Sequence, residues 1–299
     1  MISGSLWIVS LSAKVDKNGL KTMTIITCVV DNNAQKDTNL RSEHGLSFWI
    51  ETPGGRVVFD TGQTNAVFAH NLGLLGLNPR DATAVALSHA HHDHTGGLDT
   101  VLSQNTTLKI YAHSDIFQPR YSLREGEYRS IGLALMQEEL SRRAELHLSD
   151  APQEILPNLW TTGEITPRPE AEGRSAHHFI RVMGAWQPDP YRDDLSLVLK
   201  TSAGLVVICG CCHAGLLNTL FRVENNFKGR IITVLGGTHL VSASEADLHH
   251  VIKTLDARYP ALDFYLNHCT GERAYQALAG VLGKKVKPCP AGTAIYFDD

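Results

Sequence analysis

From Ser88 to Gly97 the chain reads Ser-His-Ala-His-His-Asp-His-Thr-Gly-Gly. Four histidines and an aspartate fall within six positions. They offer imidazole nitrogen and carboxylate oxygen, donors that suit a borderline divalent cation such as zinc. The run follows directly on the apolar stretch Ala84-Val85-Ala86-Leu87. A strand ending there throws the side chains into a tight turn at the sheet's edge. His89 and His91 can then face one metal, and Asp93 and His94 a second beside it. A solvated polar loop would need neither this order nor the Gly96-Gly97 pair. His92 points away from its neighbours and is read as a surface or supporting residue. His268 is a further expected ligand, because it follows the apolar run Phe264-Tyr265-Leu266 and precedes Thr270-Gly271, so a strand end can hold it.

These side chains need alternating strands and helices behind them. The β-branched, apolar run 22–31 reads as a strand, and Leu46 to Glu51 and Arg56 to Asp60 as a hairpin turning through Thr52-Pro53-Gly54-Gly55. Residues 65–76 carry Phe68, Leu72 and Leu75 at helical spacing. A strand over 84–88 leads into the histidine cluster, followed by a helix near 98–103 and a strand over 108–112. From about 114 to 194 the apolar pattern loosens, apart from a helix expected over 131–142 and a returning strand at 159–165. This stretch is expected to be an insertion lying over the site like a lid within one domain spanning 1–299. Strands at 195–200 and 205–209 form another hairpin. A helix after Gly215, a strand over 230–235, a helix opened by a capping box at Ser242-Ala243-Ser244-Glu245, a strand over 263–266, a helix over 272–282 and a strand over 294–297 complete the chain.

Composition narrows the function. The chain has 299 residues, 43% of them hydrophobic, enough for a large core. A net charge of −4 argues against a nucleic-acid partner. No window of about 18 apolar residues is present, so no membrane span is expected. The opening Met1-Ile2-Ser3-Gly4-Ser5-Leu6-Trp7 lacks the basic segment of a signal peptide and reads as a first strand or a leftover tag. A cytoplasmic protein is expected, and its six cysteines are not expected to form a disulfide framework.

The order His-x-His-x-Asp-His followed by Gly-Gly resembles the signature of the metallo-β-lactamase superfamily, and Phe59-Asp60-Thr61-Gly62 resembles its first motif. Glu43-His44-Gly45-Leu46-Ser47, Gly210-Cys211-Cys212-His213-Ala214-Gly215, Gly236-Gly237-Thr238-His239-Leu240 and Asn267-His268-Cys269-Thr270-Gly271 look like one subfamily of it, the dihydropteroate-synthase-like metal-dependent hydrolases. The resemblance implies an α+β fold, an αββα sandwich of two mixed sheets flanked by helices. It also implies that Asp60 supports the metal loop and that His268 is the final metal histidine. Two departures stand out. Thr162-Gly163-Glu164 occupies the place of a histidine motif, and Cys211 the place of a bridging aspartate. Glu164, Cys211 and His213 are therefore each candidates to complete the metal shell, with one or two ions bound. Zinc is the first choice, with manganese or iron as alternatives.

The chemistry this implies is metal-dependent hydrolysis, a metal-bound hydroxide attacking a phosphodiester or related ester of a small, phosphate-bearing molecule. Asp93 would orient the hydroxide or take its proton, and His239 would hydrogen-bond or protonate the leaving group. His44 and His239 could reach substrate, as could Thr270 and the amides of the loop starting at Gly210, where an anion could sit at a helix start. His113 is a weaker candidate; His177-His178 and His249-His250 read as surface residues. Two alternatives stay open. One is a pterin-pathway transferase condensing a pterin diphosphate with an aminobenzoate-type acceptor. The other is a catalytically silent, metal-loaded binding protein. Oligomers are compatible with the sequence.

Overall fold

A computed structural model describes residues 23–299; the element expected at Met1 to Trp7 lies outside the described residues. Two seven-stranded mixed sheets face each other. The first runs Ala294–Asp298, Met23–Val30, Ser47–Thr52, Gly55–Phe59, Ala84–Ala86, Lys109–Ala112, Glu145–Leu148. The second runs Val286–Pro288, Asp263–Leu266, Ile231–Gly236, Leu205–Cys209, Ser196–Lys200, Leu159–Thr161, Glu154–Leu156. Their inner faces share one core, joining Ile26, Phe48 and Phe59 to Leu197, Val206 and Leu235. On the outer face of the first sheet, Asn65–Leu74 and Leu98–Leu102 pack Phe68, Leu72 and Val101 near Val58 and Val85. On the outer face of the second, Leu216–Asn226, Glu245–Arg258 and Glu272–Leu282 pack Leu220, Leu255 and Leu278 with Val207, Val234 and Phe264. This is the αββα sandwich that the sequence implied. Sheets covered on both sides explain why strands such as Leu205–Cys209 are apolar throughout rather than alternating.

The parallel strands decide where chemistry can occur. Gly55–Phe59 and Ala84–Ala86 pair in parallel in one sheet, and Leu205–Cys209, Ile231–Gly236 and Asp263–Leu266 in the other. Their carboxyl ends deliver Asp60, the 88–97 turn, the 210–215 loop, His239 and His268 to one rim of the sandwich, the usual place for a site in sheets of this kind.

Three expectations change. The insertion is more ordered than its pattern suggested, because residues 120–188 supply a third, antiparallel sheet in the order Ala185–Pro188, His178–Val182, Arg120–Arg124, Glu127–Ser130. Ala185–Pro188 is exposed along its whole length, so no apolar alternation marks it. The helix expected over 131–142 is reduced to Gln137–Ser141. The helix capped by serine starts two residues later than expected, with the Ser244 hydroxyl accepting from Asp247 N at 3.1 Å. Among the described residues all six cysteines are free, and no helix is long and apolar enough to cross a membrane.

Candidate metal centre

Two groups of donors sit side by side at this rim. In the first, ring nitrogens of His89, His91 and His213 lie within 4.8 Å of one another. His89 Nε2 is 3.0 Å from His91 Nδ1. His213 donates from Nδ1 to the carbonyl of Gly173 at 3.1 Å, which leaves Nε2 with its lone pair. Nε2 of His91 and Nε2 of His213 are buried and have no hydrogen-bond partner. Burial holds all three imidazoles well below the ordinary histidine range, so they are neutral near pH 7. Buried lone pairs without partners are costly unless something binds them.

The second group is Asp93, His94, His268 and Cys211. His94 Nε2 lies 3.2 Å from His268 Nε2, 3.2 Å from Cys211 Sγ and 3.7 Å from Asp93 Oδ2, and His268 Nε2 is 3.5 Å from Asp93 Oδ2. A tetrahedron with ligand bonds of about 2.1 Å has edges of about 3.4 Å, so these spacings suit one zinc-sized ion. Burial opposes charge on Asp93, but His94, the hydrogen bond from His44 and His268 hold its carboxyl well below the usual carboxylate range. Burial also opposes charge on His94, yet Asp60 and Asp93 carry its pKa up to about 9. The local field therefore favours a positive charge where a metal would sit. Burial pushes the Cys211 thiol up, so a cation binding there would displace its proton. The donor set fits a divalent metal.

The supporting hydrogen bonds fix which nitrogen faces inward. Asp60 is fully buried and accepts from Ser88 N, Ser88 Oγ and His94 Nδ1, each at 2.7 Å. His94 thus donates from Nδ1 and turns Nε2 to the centre. His268 does the same, donating from Nδ1 to Asn32 Oδ1 at 2.9 Å while its backbone N–H donates to Asp31 Oδ1 at 2.8 Å. Ala90 N, in the metal turn, donates to Asp193 Oδ2 at 2.8 Å, and the buried Arg120 guanidinium lies 2.7 Å from Asp193 Oδ1. The left-handed Cys212 (φ 57°) sends Cys211 and His213 to the same side, one to each donor group, while Cys212 itself packs into the core.

A cleft of about 510 Å³ opens onto both groups. His44, His239 and His92 border it as exposed or half-buried rings. His44 Nε2 is 3.2 Å from Asp93 Oδ2, and that hydrogen bond raises its pKa. His239 takes a left-handed backbone (φ 47°), lies against His213 with ring centroids 4.2 Å apart and planes tilted by 46°, and is pushed down to about 4 by burial. Arg124 borders the cleft and pairs with no carboxylate among the described residues.

Several sequence candidates are not brought to the cleft. Gly163 (φ 62°) packs against the Asp150 and Ala151 backbone, and Glu164 turns to Arg192 at 3.3 Å instead of the histidines. Glu164 sits near His113, whose Nε2 is 3.2 Å from Asp150 Oδ1. His113 Nδ1 accepts from Asp115 N at 3.0 Å, so its proton is on Nε2, facing carboxylates rather than a metal. Gly210 is buried, and a Cβ there would lie 2.2 Å from Ser88 Oγ; the glycine lets the metal turn approach and does not face substrate. The loop amide expected to take an anion already holds one, with Ala214 N donating to Asp194 Oδ2 at 2.9 Å. Thr270 is buried against Thr238 Oγ1 at 3.1 Å and borders a second cavity of about 500 Å³. In the opposite direction, His178 is no surface residue: it borders the cleft, its ring edge-on to His91 at 4.9 Å. Tyr191, behind it, carried no sequence signal at all.

The family model described as the metallo-beta-lactamase superfamily matches residues 41–183. A Methanocaldococcus jannaschii protein named 7,8-dihydropterin-6-methyl-4-(β-D-ribofuranosyl)-aminobenzene-5′-phosphate synthase is 28% identical over 272 residues, covering 86% of this chain and 90% of that one. An uncharacterised protein of the same organism is 31% identical over 261 residues, covering 85% and 94%. A crystal structure described as a metal-dependent hydrolase of the β-lactamase superfamily superposes with a TM-score of 0.78 at 27% identity, covering 92% of this chain and 100% of that one. YhfI from Bacillus subtilis, a metallo-β-lactamase fold protein, shares the fold at a TM-score of 0.56 and 14% identity, covering 91% and 99%.

Proposed function

The chain belongs to the metallo-β-lactamase superfamily, and from that premise we propose a divalent-metal-dependent hydrolase acting on a small phosphodiester or related phosphate-bearing ester. The observation that carries this is the pair of adjacent donor groups, three imidazoles beside His94, whose Nε2 lies within 3.7 Å of His268, Cys211 and Asp93, opening on one cleft. His89, His91 and His213 would hold one ion, and Asp93, His94, His268 and Cys211 the other. A thiolate among imidazoles favours zinc. Bound there, the ions would supply Lewis acidity and an activated water. The chain's own groups do the rest. Arg124 puts an unpaired positive charge at the rim, where it draws an anionic substrate in and orients it. His44 and Asp93 form a hydrogen-bonded pair at the mouth that can hold a proton between them. His239, neutral and with Nδ1 buried and unpartnered, can hydrogen-bond a substrate oxygen or the departing group. The test is hydrolysis of a bis-aryl phosphodiester by a His89→Ala, His91→Ala double variant. Loss of turnover supports this function, and full activity would sink it.

We keep a second reading, a transferase that joins a pterin diphosphate to an aminobenzoate-type acceptor; the M. jannaschii relative, named as a synthase of a dihydropterin-methyl-aminobenzene phosphate, bears on it only through the pterin and aminobenzene halves of that name. Assay of the purified protein with both substrates separates the two. No condensation product removes the transferase.

A further inference from the structure

Tyr191 is fully buried, stacks on His213 (centroids 4.1 Å apart, planes at 14°) and brings its hydroxyl to 2.8 Å from His178 Nδ1. The same hydroxyl oxygen accepts from Ser175 N–H at 3.3 Å. A phenol has one hydrogen to donate. With Ser175 donating to the oxygen, the hydroxyl hydrogen needs an acceptor, and His178 Nδ1 is the one in contact. Nδ1 then keeps its lone pair, and the proton of the neutral imidazole is on Nε2. The reverse assignment would leave a buried hydroxyl hydrogen with no acceptor, which native interiors avoid. Nε2 has no hydrogen-bond partner among the described residues, while the ring borders the cleft beside His91 and His213.

We propose that Tyr191 locks His178 as its Nε2–H tautomer, and that His178 offers this N–H to a phosphoryl or acyl oxygen of the substrate. His178 is a hydrogen-bond donor here and not an acid. Transfer of its proton would leave an imidazolate, so the group orients and polarises, as a neutral histidine facing a carbonyl does elsewhere. Tyr191 is the positioning residue. The substrate's chemistry in this inference rests on the hydrolase function proposed above; the tautomer does not.

Three variants test it on the zinc-loaded protein. His178→Leu removes the N–H, His178→Gln keeps an amide N–H at a similar reach, and Tyr191→Phe removes the lock. For His178→Leu, kcat on a bis-aryl phosphodiester should fall about 100-fold, the scale of losing one oriented donor. KM should stay within about threefold, since the donor acts on the transition state. Metal content should be unchanged, and His178→Gln should recover part of the loss. The pH–rate profile should keep both limbs. An unchanged kcat overturns the donor role, and loss of the alkaline limb overturns the neutral form in favour of an acid. Long-range ¹H–¹⁵N spectra, with the His178 signals identified by their absence in His178→Leu, read the tautomer directly. Nε2–H is expected in the natural chain and a mixture in Tyr191→Phe, whereas Nδ1–H in the natural chain overturns the lock. That spectrum decides the lock even if no phosphodiester is turned over, an outcome that would count against the hydrolase function instead.

Discussion

Replacing Asp60 with asparagine should weaken one metal site and leave the fold. Asp60 Oδ1 accepts from Ser88 N, and Oδ2 from both Ser88 Oγ and His94 Nδ1, all at 2.7 Å. An asparagine can keep its oxygen toward Ser88 N, but its NH2 group then faces His94. His94 can meet a donor only by making Nδ1 the acceptor, which moves its proton to Nε2. That nitrogen is the one 3.2 Å from both His268 Nε2 and Cys211 Sγ; in the natural chain a metal displaces its proton and leaves a neutral ring still donating from Nδ1 to Asp60, but with Nδ1 held as an acceptor the same displacement would leave an imidazolate. Loss of such a supporting carboxylate weakens metal binding by about 10–100-fold, or about 1.4–2.8 kcal/mol. The metal-free protein loses a charge-assisted hydrogen bond as well, about 1.5–3 kcal/mol of stability, which a domain of ordinary stability survives. Calorimetric titration of chelator-treated protein with zinc measures both sites. The Asp60→Asn variant should show one binding phase weakened by that factor in a protein that still melts cooperatively. Two zinc ions bound as tightly as in the natural chain would refute the tautomer argument.

Acidification should unfold the metal-free protein early. Burial pushes His89, His91, His178, His213, His239 and His268 down, the two with a defined position to about 4. The unfolded chain takes up those protons below about pH 6.5, so stability falls as pH drops from there toward 4. Asp31, Asp193 and Asp194, raised by burial to about 6, 7 and 6, act in the opposite sense and only partly offset this. A Tm of chelator-treated protein that is flat or rising between pH 7 and 4.5 would count against it. Arg124→Ala should raise KM for an anionic substrate by up to roughly fivefold with kcat little changed, because an exposed charge gives about 0.2–1 kcal/mol of uniform binding; steady-state kinetics at low salt checks this. Leu255→Ala, at a fully buried site in the helix Glu245–Arg258, should destabilise by about 2–5 kcal/mol in denaturant titration without altering metal content.

The sequence was most legible where the chemistry is contiguous. His89, His91, Asp93 and His94 announce themselves within one turn, and His268 follows from the apolar strand before it. Cys211 and His213 stayed alternatives because sequence spacing does not reveal the left-handed residue between them, which lets both face inward. Glu164 stood in a motif's place, but Gly163 turns the chain away before it can reach the site. His178 was hidden for a different reason. Its strand belongs to a small sheet with little apolar alternation, and its burial is made by Tyr191, His91 and His213 from distant parts of the chain. The strands that read clearly were those covered on both faces, such as Ser196–Lys200 and Leu205–Cys209.

The central claim is a two-metal hydrolytic centre, and metal content per chain, measured alongside hydrolysis of a bis-aryl phosphodiester, tests it most directly. Purified protein titrated with zinc should bind two ions per chain and turn the substrate over, with turnover and one of the two ions lost in the His89→Ala, His91→Ala variant. One ion or none, with no turnover after zinc, manganese or iron is supplied, would contradict it.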